Sequence, residues 1–199
     1  MIAKLAPAFV NPVLDAQSVF RTAMYAMARP GRVSPLDCSL MPPGPLSAGA
    51  AAIALTLADY ETPIWLDAPL SVTDAVSNWL RFHTGAPITD DPARANFALI
   101  SEAGSLPDFA VFSSGEQDYP DRSATLIVQV ESLSAGMSLN LSGPGIEGTQ
   151  LLRVGPLPVD FANRAAENRR LFPRGVDLLF VLDRAVAGIP RSTLVAKEG

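Results

Sequence analysis

The chain has 199 residues, 48% of them apolar and 18% charged, with a formal net charge of −5. That length and apolar content suffice for one domain with a proper core and exclude a disordered chain, and the acidic balance does not favour nucleic-acid binding. There is a single histidine, a single cysteine and fifteen basic residues, of which only Lys4 and Lys197 are lysines. A zinc or iron–sulfur centre needs three or four Cys/His ligands, a pyridoxal phosphate enzyme needs a lysine in a buried pocket, and a thiol oxidoreductase needs a poised or paired cysteine. The chemistry is left to Asp, Glu, Arg, Ser, Thr, backbone amides and one imidazole, or to partners.

The first predicted element is a helix over Asp15 to Ala28. Ala16, Val19, Phe20, Ala23, Met24 and Met27 fall on one face, Asp15 is placed to cap it, and Pro30-Gly31 stops it. Arg21 and Arg29 point away from that face. A Pro/Gly/Ser-rich loop over Pro42 to Ser47 leads into Ala48 to Ala58, apolar all round and read as a buried helix too short to span a membrane. Asp59 to Pro63 precede a short strand, Ile64 to Leu66. Ser71 or Thr73 can cap a third helix with apolar positions at Val72, Val76, Trp79, Leu80 and His83, ended by Gly85 and Pro87.

The second half reads as strands. Phe97 to Ser101 and Thr125 to Val130 are buried strands by composition. Leu139 to Leu141 alternates into a glycine loop, and Leu151 to Val154 is a further strand. Val159 to Arg170 is read as a helix. Val176 to Leu182 and Ala185 to Ile189 flank Asp183-Arg184 as a hairpin. The pattern is mixed α/β, one domain over 1–199, without repeats. The segment Met1 to Val10 lacks the long apolar core of a secretory signal, and one cysteine makes no internal disulfide, so a cytoplasmic protein is expected.

Several constellations could carry chemistry. Gly143-Pro144-Gly145-Ile146-Glu147-Gly148 satisfies G-x-G-x-x-G, but the dinucleotide fingerprint needs a helix at its third position and a strand-like stretch follows here. A structural turn is the competing reading. No Walker A sequence is present. His83, with Thr84 beside it, closes its predicted helix, where an imidazole serves as base, as anion ligand, or as a satisfied helix-end ring. The pairs Asp59/Glu61 and Asp90/Asp91 suit acid–base work or solvated turns alike. Arg191-Ser192-Thr193 could bind an anion or finish an edge strand, and Cys38 reads as a small packed residue.

Seven segments together carry a resemblance: Asp15–Arg21 with Arg29–Gly31; Leu55–Asp59 with Thr62–Leu66; Leu80–Pro87; Ala124–Val130; Leu141–Ile146; Phe172–Asp177; and Ile189–Thr193. Their order and spacing resemble the PhnH family, subunits of the bacterial carbon–phosphorus lyase system. Residues from about 102 to 121 match it poorly. The resemblance implies a three-layer α/β sandwich with a mixed sheet, similar to pyridoxal-phosphate-dependent transferases but without the cofactor. It implies a homodimer in isolation and a core complex with PhnG, PhnI and PhnJ. With PhnL, these are linked to replacing the adenine of ATP by a phosphonate, giving a ribose 1-phosphonate 5-triphosphate. No cofactor or metal is expected on this chain. Two functional readings stay open beside a non-catalytic subunit. One is an anion-binding subunit whose candidate ligands are Arg21, Arg81, His83, Thr84, Gly143, Gly145 and Arg191. The other is a stand-alone hydrolase using Asp59, Glu61 and His83.

Overall fold

The computed structural model describes residues 7–197. The readings of Lys4 and of the extreme N-terminus lie outside these residues. Helix α1 (Pro12–Ala28) starts one turn earlier than the sequence suggests. Its cap is Asn11, whose side chain accepts from the Leu14 N–H, while Asp15 inside the first turn accepts from the Asn11 N–H at 2.9 Å. Asp15 thus completes a reciprocal capping pair instead of forming the cap itself. The buried face is also rotated from the expected one. Val19, Ala23 and Ala26 are buried, whereas Phe20 and Met24 are about half exposed.

The short strand β1 (Ser34–Pro35) precedes helix α2 (Ala48–Leu57), capped by Ser47 and packed on all sides through Ala50 to Ala54. Strand β2 (Ile64–Leu66) leads to a single turn, α3 (Ala68–Ser71), capped by Asp67, and then to α4 (Asp74–Thr84), capped by Thr73 and closed by Gly85 at φ +75°. Val76, Trp79 and Leu80 of α4 are buried, but Val72 lies between the two helices and is exposed. The remaining strands are β3 (Ile88–Thr89), β4 (Phe97–Ile100), β5 (Thr125–Gln129), β6 (Ser132–Ser142), β7 (Gln150–Gly155), β8 (Asp177–Leu182), β9 (Ala185–Ile189) and β10 (Leu194–Lys197), with helix α5 (Phe161–Arg170) between β7 and β8. Three short 3₁₀ turns occupy the poorly matching stretch between β4 and β5.

Seven strands form one mixed sheet in the order β1-β9-β8-β5-β4-β2-β3. Strands β8, β5, β4, β2 and β3 are parallel; β9 runs antiparallel to β8, and β1 pairs antiparallel with β9. Strands β10, β6 and β7 form a second, antiparallel sheet. Alternation along the central strands sends Leu99, Ile127, Leu179 and Val181 to one face, against α1, α2 and α4. It sends Ile100, Leu126, Val128, Leu178 and Phe180 to the other, against the second sheet and α5. Burial on both faces explains why these parallel strands read as continuous apolar runs. Helix α1 lies directly on β9, since a Cβ on Gly188 would stand 2.7 Å from the Ala26 carbonyl oxygen. Asp183 takes φ 42° in the predicted β8–β9 hairpin, a conformation that Asp tolerates better than most residues.

Candidate functional site

In an open parallel sheet, ligands bind outside the carboxyl ends of the strands, where the strand order reverses. Here the chain runs from β2 outward to β3 and then returns to β4 on the other side of β2, so the reversal falls between β2 and β4. Asp67 follows β2 at that point. Its buried carboxylate accepts from the Leu70 N–H, the Ser101 N–H at 2.6 Å, the Ser101 hydroxyl and the Glu102 N–H. One carboxylate therefore caps α3 and fixes the residues that leave β4.

A cavity of about 480 Å³ opens beside them at the same end of the sheet. Ser101, Glu102 and Ser105 come from the exit of β4, Gln129 and Glu131 from β5, Asp183 from β8, and Ser47 from the cap of α2. The Gln129 side chain accepts from the Ser47 N–H at 2.6 Å and donates to the Pro45 carbonyl at 3.1 Å, tying the Pro/Gly loop to the cavity rim. Three carboxylates and several hydroxyls line this crevice, and among the described residues no arginine or lysine does. Hydroxyl and amine groups suit such a lining; an unaccompanied polyphosphate does not, because the carboxylates repel it. Sequence reading missed these residues. The available signal was position, since each polar group stands just past a predicted buried strand.

The expected ligands are spread over the molecule. Arg21 is exposed on α1 and donates to the Gln17 side chain at 2.7 Å. Arg81 is exposed in the last turn of α4. His83 is half-buried in the same turn, its ring edge-on to Trp79 and Phe82 at centroid distances of 4.8 and 4.9 Å. Thr84 is used within its own helix end, donating to the Leu80 carbonyl at 2.8 Å and accepting from the Ala86 N–H. Arg191 forms an ion pair with Asp177, contacts both carboxylate oxygens, and donates to the Pro120 carbonyl at 2.6 Å.

Gly145 and Arg191 do meet. Both line a second cavity of about 470 Å³ with Met27, Pro144, Phe172 and Pro173. This cavity sits at the start of β8, whereas the crevice sits at its end; six strand residues separate the two by roughly 20 Å.

The remaining candidates for acid–base work are held in turns. Asp59 accepts from the Glu61 N–H at 2.9 Å and from the Thr62 hydroxyl, and Asp91 accepts from the Ala93 N–H at 3.0 Å. The Gly143–Gly148 segment is followed by strand β7 and not by a helix, so it lacks the helix N-terminus of a dinucleotide fingerprint. Among the described residues no group of three or more His, Cys, Asp or Glu could hold a metal ion, and no helix is long and apolar enough to cross a membrane. Burial of Cys38 raises its thiol pKa above the ordinary value.

Three comparisons bear on these features. The family described as bacterial phosphonate metabolism protein (PhnH) matches residues 7–196. Over 191 residues the chain is 44% identical to the alpha-D-ribose 1-methylphosphonate 5-triphosphate synthase subunit PhnH of Rhizobium meliloti (strain 1021), covering 96% of this chain and 95% of that protein. It is 27% identical over 187 residues to HtxG of Stutzerimonas stutzeri, a C-P lyase subunit protein by name, covering 92% and 87%.

Proposed function

This chain belongs to the PhnH family of bacterial phosphonate metabolism proteins, and on that premise we propose that it is a subunit of a ribose 1-methylphosphonate 5-triphosphate synthase within the carbon–phosphorus lyase system. The observation that carries the reading is the 44% identity to a PhnH subunit of that synthase over nearly the whole of both chains. In the proposed reaction the C1′–N9 bond of ATP breaks and adenine leaves with a proton. A phosphonate oxygen forms the new bond to C1′.

This chain's part is accessory: it binds and positions, in a core complex with PhnG, PhnI and PhnJ. The side chains that could do acid–base work support that division. Asp59, Asp67 and Asp91 accept from backbone amides, and the one imidazole stands edge-on to two aromatic rings at a helix end. The exposed apolar side chains of α1, Val13, Phe20 and Met24, support docking, to partner subunits in the complex and to a second copy in isolation. We extend the reading to a single 1–199 domain in the cytoplasm, and to a fold akin to pyridoxal-phosphate-dependent transferases.

The test is co-expression with PhnG, PhnI and PhnJ, followed by measurement of adenine released from ATP on addition of methylphosphonate. The expected result is one co-purifying complex whose adenine release is lost when this chain is omitted. Purification of this chain alone, with adenine release unchanged by its omission, would defeat the proposal. The stand-alone hydrolase requires activity of the isolated chain on phosphate esters that disappears in His83→Ala.

A further inference from the structure

Two Pro-Gly turns, more than a hundred residues apart in sequence, are packed against each other at the C-terminal end of α1. The first is Arg29-Pro30-Gly31-Arg32, closed by the Arg32 N–H donating to the Arg29 carbonyl at 3.2 Å, with Gly31 at φ +75°. The second is Gly143-Pro144-Gly145-Ile146, closed by the Ile146 N–H donating to the Gly143 carbonyl at 3.1 Å, with Gly145 at φ +81°. Proline at the second position and a positive-φ glycine at the third is the pattern of a type II turn. Gly145 serves contact as well as conformation, for a Cβ there would stand 2.3 Å from the Ala28 carbonyl oxygen and 3.0 Å from the Pro30 ring.

The first turn is anchored. The Gly31 N–H donates to the Gly188 carbonyl at 3.0 Å, and Pro30 and Gly31 are buried. Arg29 and Arg32, the first and last residues of that turn, have Cα atoms within about 7 Å of each other. Both side chains are exposed, and among the described residues neither guanidinium has a carboxylate at ion-pair distance or a side-chain hydrogen bond. Together with Gly145, Ile146 and Glu147 they line a cavity of about 400 Å³. Gly145 also lines the cavity of about 470 Å³ that holds Met27, Phe172 and Pro173 beside Asp121 and the Asp177–Arg191 pair, so a compartment with two arginines and one glutamate meets a partly apolar one at one glycine.

We infer that this pair of cavities is a ligand groove for a triphosphate-bearing ribose compound, with Arg29 and Arg32 holding the triphosphate and the Phe172 compartment holding the rest of the ligand. Guanidinium forks suit phosphate oxygens, and an anchored turn that presents two of them lowers the ordering cost of binding. The groove lies at the opposite end of β8 from the carboxylate-lined crevice, which repels the same anion. The inference rests on the synthase reading, whose product carries a 5-triphosphate, but it concerns this chain alone.

Calorimetric titration of the purified full chain with inorganic tripolyphosphate, and separately with ATP, tests it. Both are expected to bind, more weakly at high salt. Arg29→Gln and Arg32→Gln should each lower affinity for both probes about 10-fold, and Phe172→Ala should weaken ATP but not tripolyphosphate. The control Arg21→Gln/Arg81→Gln should leave both affinities unchanged. The inference is overturned if tripolyphosphate gives no heat at millimolar concentration. It is also overturned if the Arg29/Arg32 double variant binds as the wild type does, or if the control loses as much. A fall in melting temperature without a loss of affinity would assign the two arginines to the helix terminus instead. Capture of PhnG, PhnI and PhnJ by the double variant is read separately. Failure of the wild-type chain to capture them would defeat the synthase reading, whereas the titrations judge the groove.

Discussion

Replacing Arg191 by methionine keeps the length of the side chain and removes the charge that faces Asp177. The pair is mostly buried, each side chain retaining 15% exposure. Three attachments go at once: the two-oxygen contact with Asp177, the bond to the Pro120 carbonyl at 2.6 Å and a longer one to the Pro173 carbonyl. Breaking a fully buried pair costs roughly 3–5 kcal/mol because a charge is left uncompensated. Solvent reaching this pair puts the expected loss near the lower end, about 3 kcal/mol. For a chain of this size that lowers the melting temperature by about 6–12 °C.

Asp177→Asn keeps the shape and the bond it accepts from the Arg191 N–H, so about 2 kcal/mol is expected. The double variant should lose less than the sum of the single variants, by about 1–2 kcal/mol of coupling. Urea unfolding followed by far-ultraviolet circular dichroism, on the wild type and the three variants, gives all four corners of the cycle. If Arg191→Met unfolds within about 0.5 kcal/mol of the wild type and instead loses affinity for tripolyphosphate, the tie between β8 and the Pro120 loop is not what Arg191 provides. It would then be a ligand residue.

Other consequences are local. Gly188→Ala places a methyl group 2.7 Å from the Ala26 carbonyl oxygen, so α1 must lift from β9. A stability loss of about 1–3 kcal/mol is expected in the same urea assay. The Cys38 thiol, its pKa raised by burial, should react slowly with a thiol reagent at pH 8 in the folded protein and rapidly in urea. Its contribution to stability is complete below the ordinary thiol range and is lost as pH rises through the folded value. Asp160 has the opposite sign. The hydrogen bond from Arg164 lowers its carboxyl pKa, so its contribution is present above the ordinary carboxylate range and lost as pH falls through the folded value. Because the carboxylate is exposed, Arg164→Gln should change the acid limb of a pH–stability curve only slightly.

Much of the local structure was legible from spacing. The faces of α2 and, Val72 excepted, of α4, the buried runs of β4, β5 and β8, and the two-residue β8–β9 turn depend on neighbours a few residues away. Apolar periodicity and turn chemistry record those directly. The burial of α1 was legible only in part. Phe20 and Met24 satisfy the helical spacing as well as Val19 and Ala23 do, and only the close approach of the helix to Gly188 selects which flank of the stripe is covered.

The candidate sites show the same division more sharply. Scarcity of histidine, cysteine and interior lysine limits the chemistry wherever the chain folds, and each Pro-Gly turn is written in four consecutive residues. That the turns at Pro30 and Pro144 pack together, that Arg191 reaches Asp177, and that Asp67, Ser101, Glu131 and Asp183 gather at one end of the sheet are facts of the tertiary structure. They follow from strand order and register, which are set by burial of both sheet faces at once and leave no periodic trace between the residues they unite.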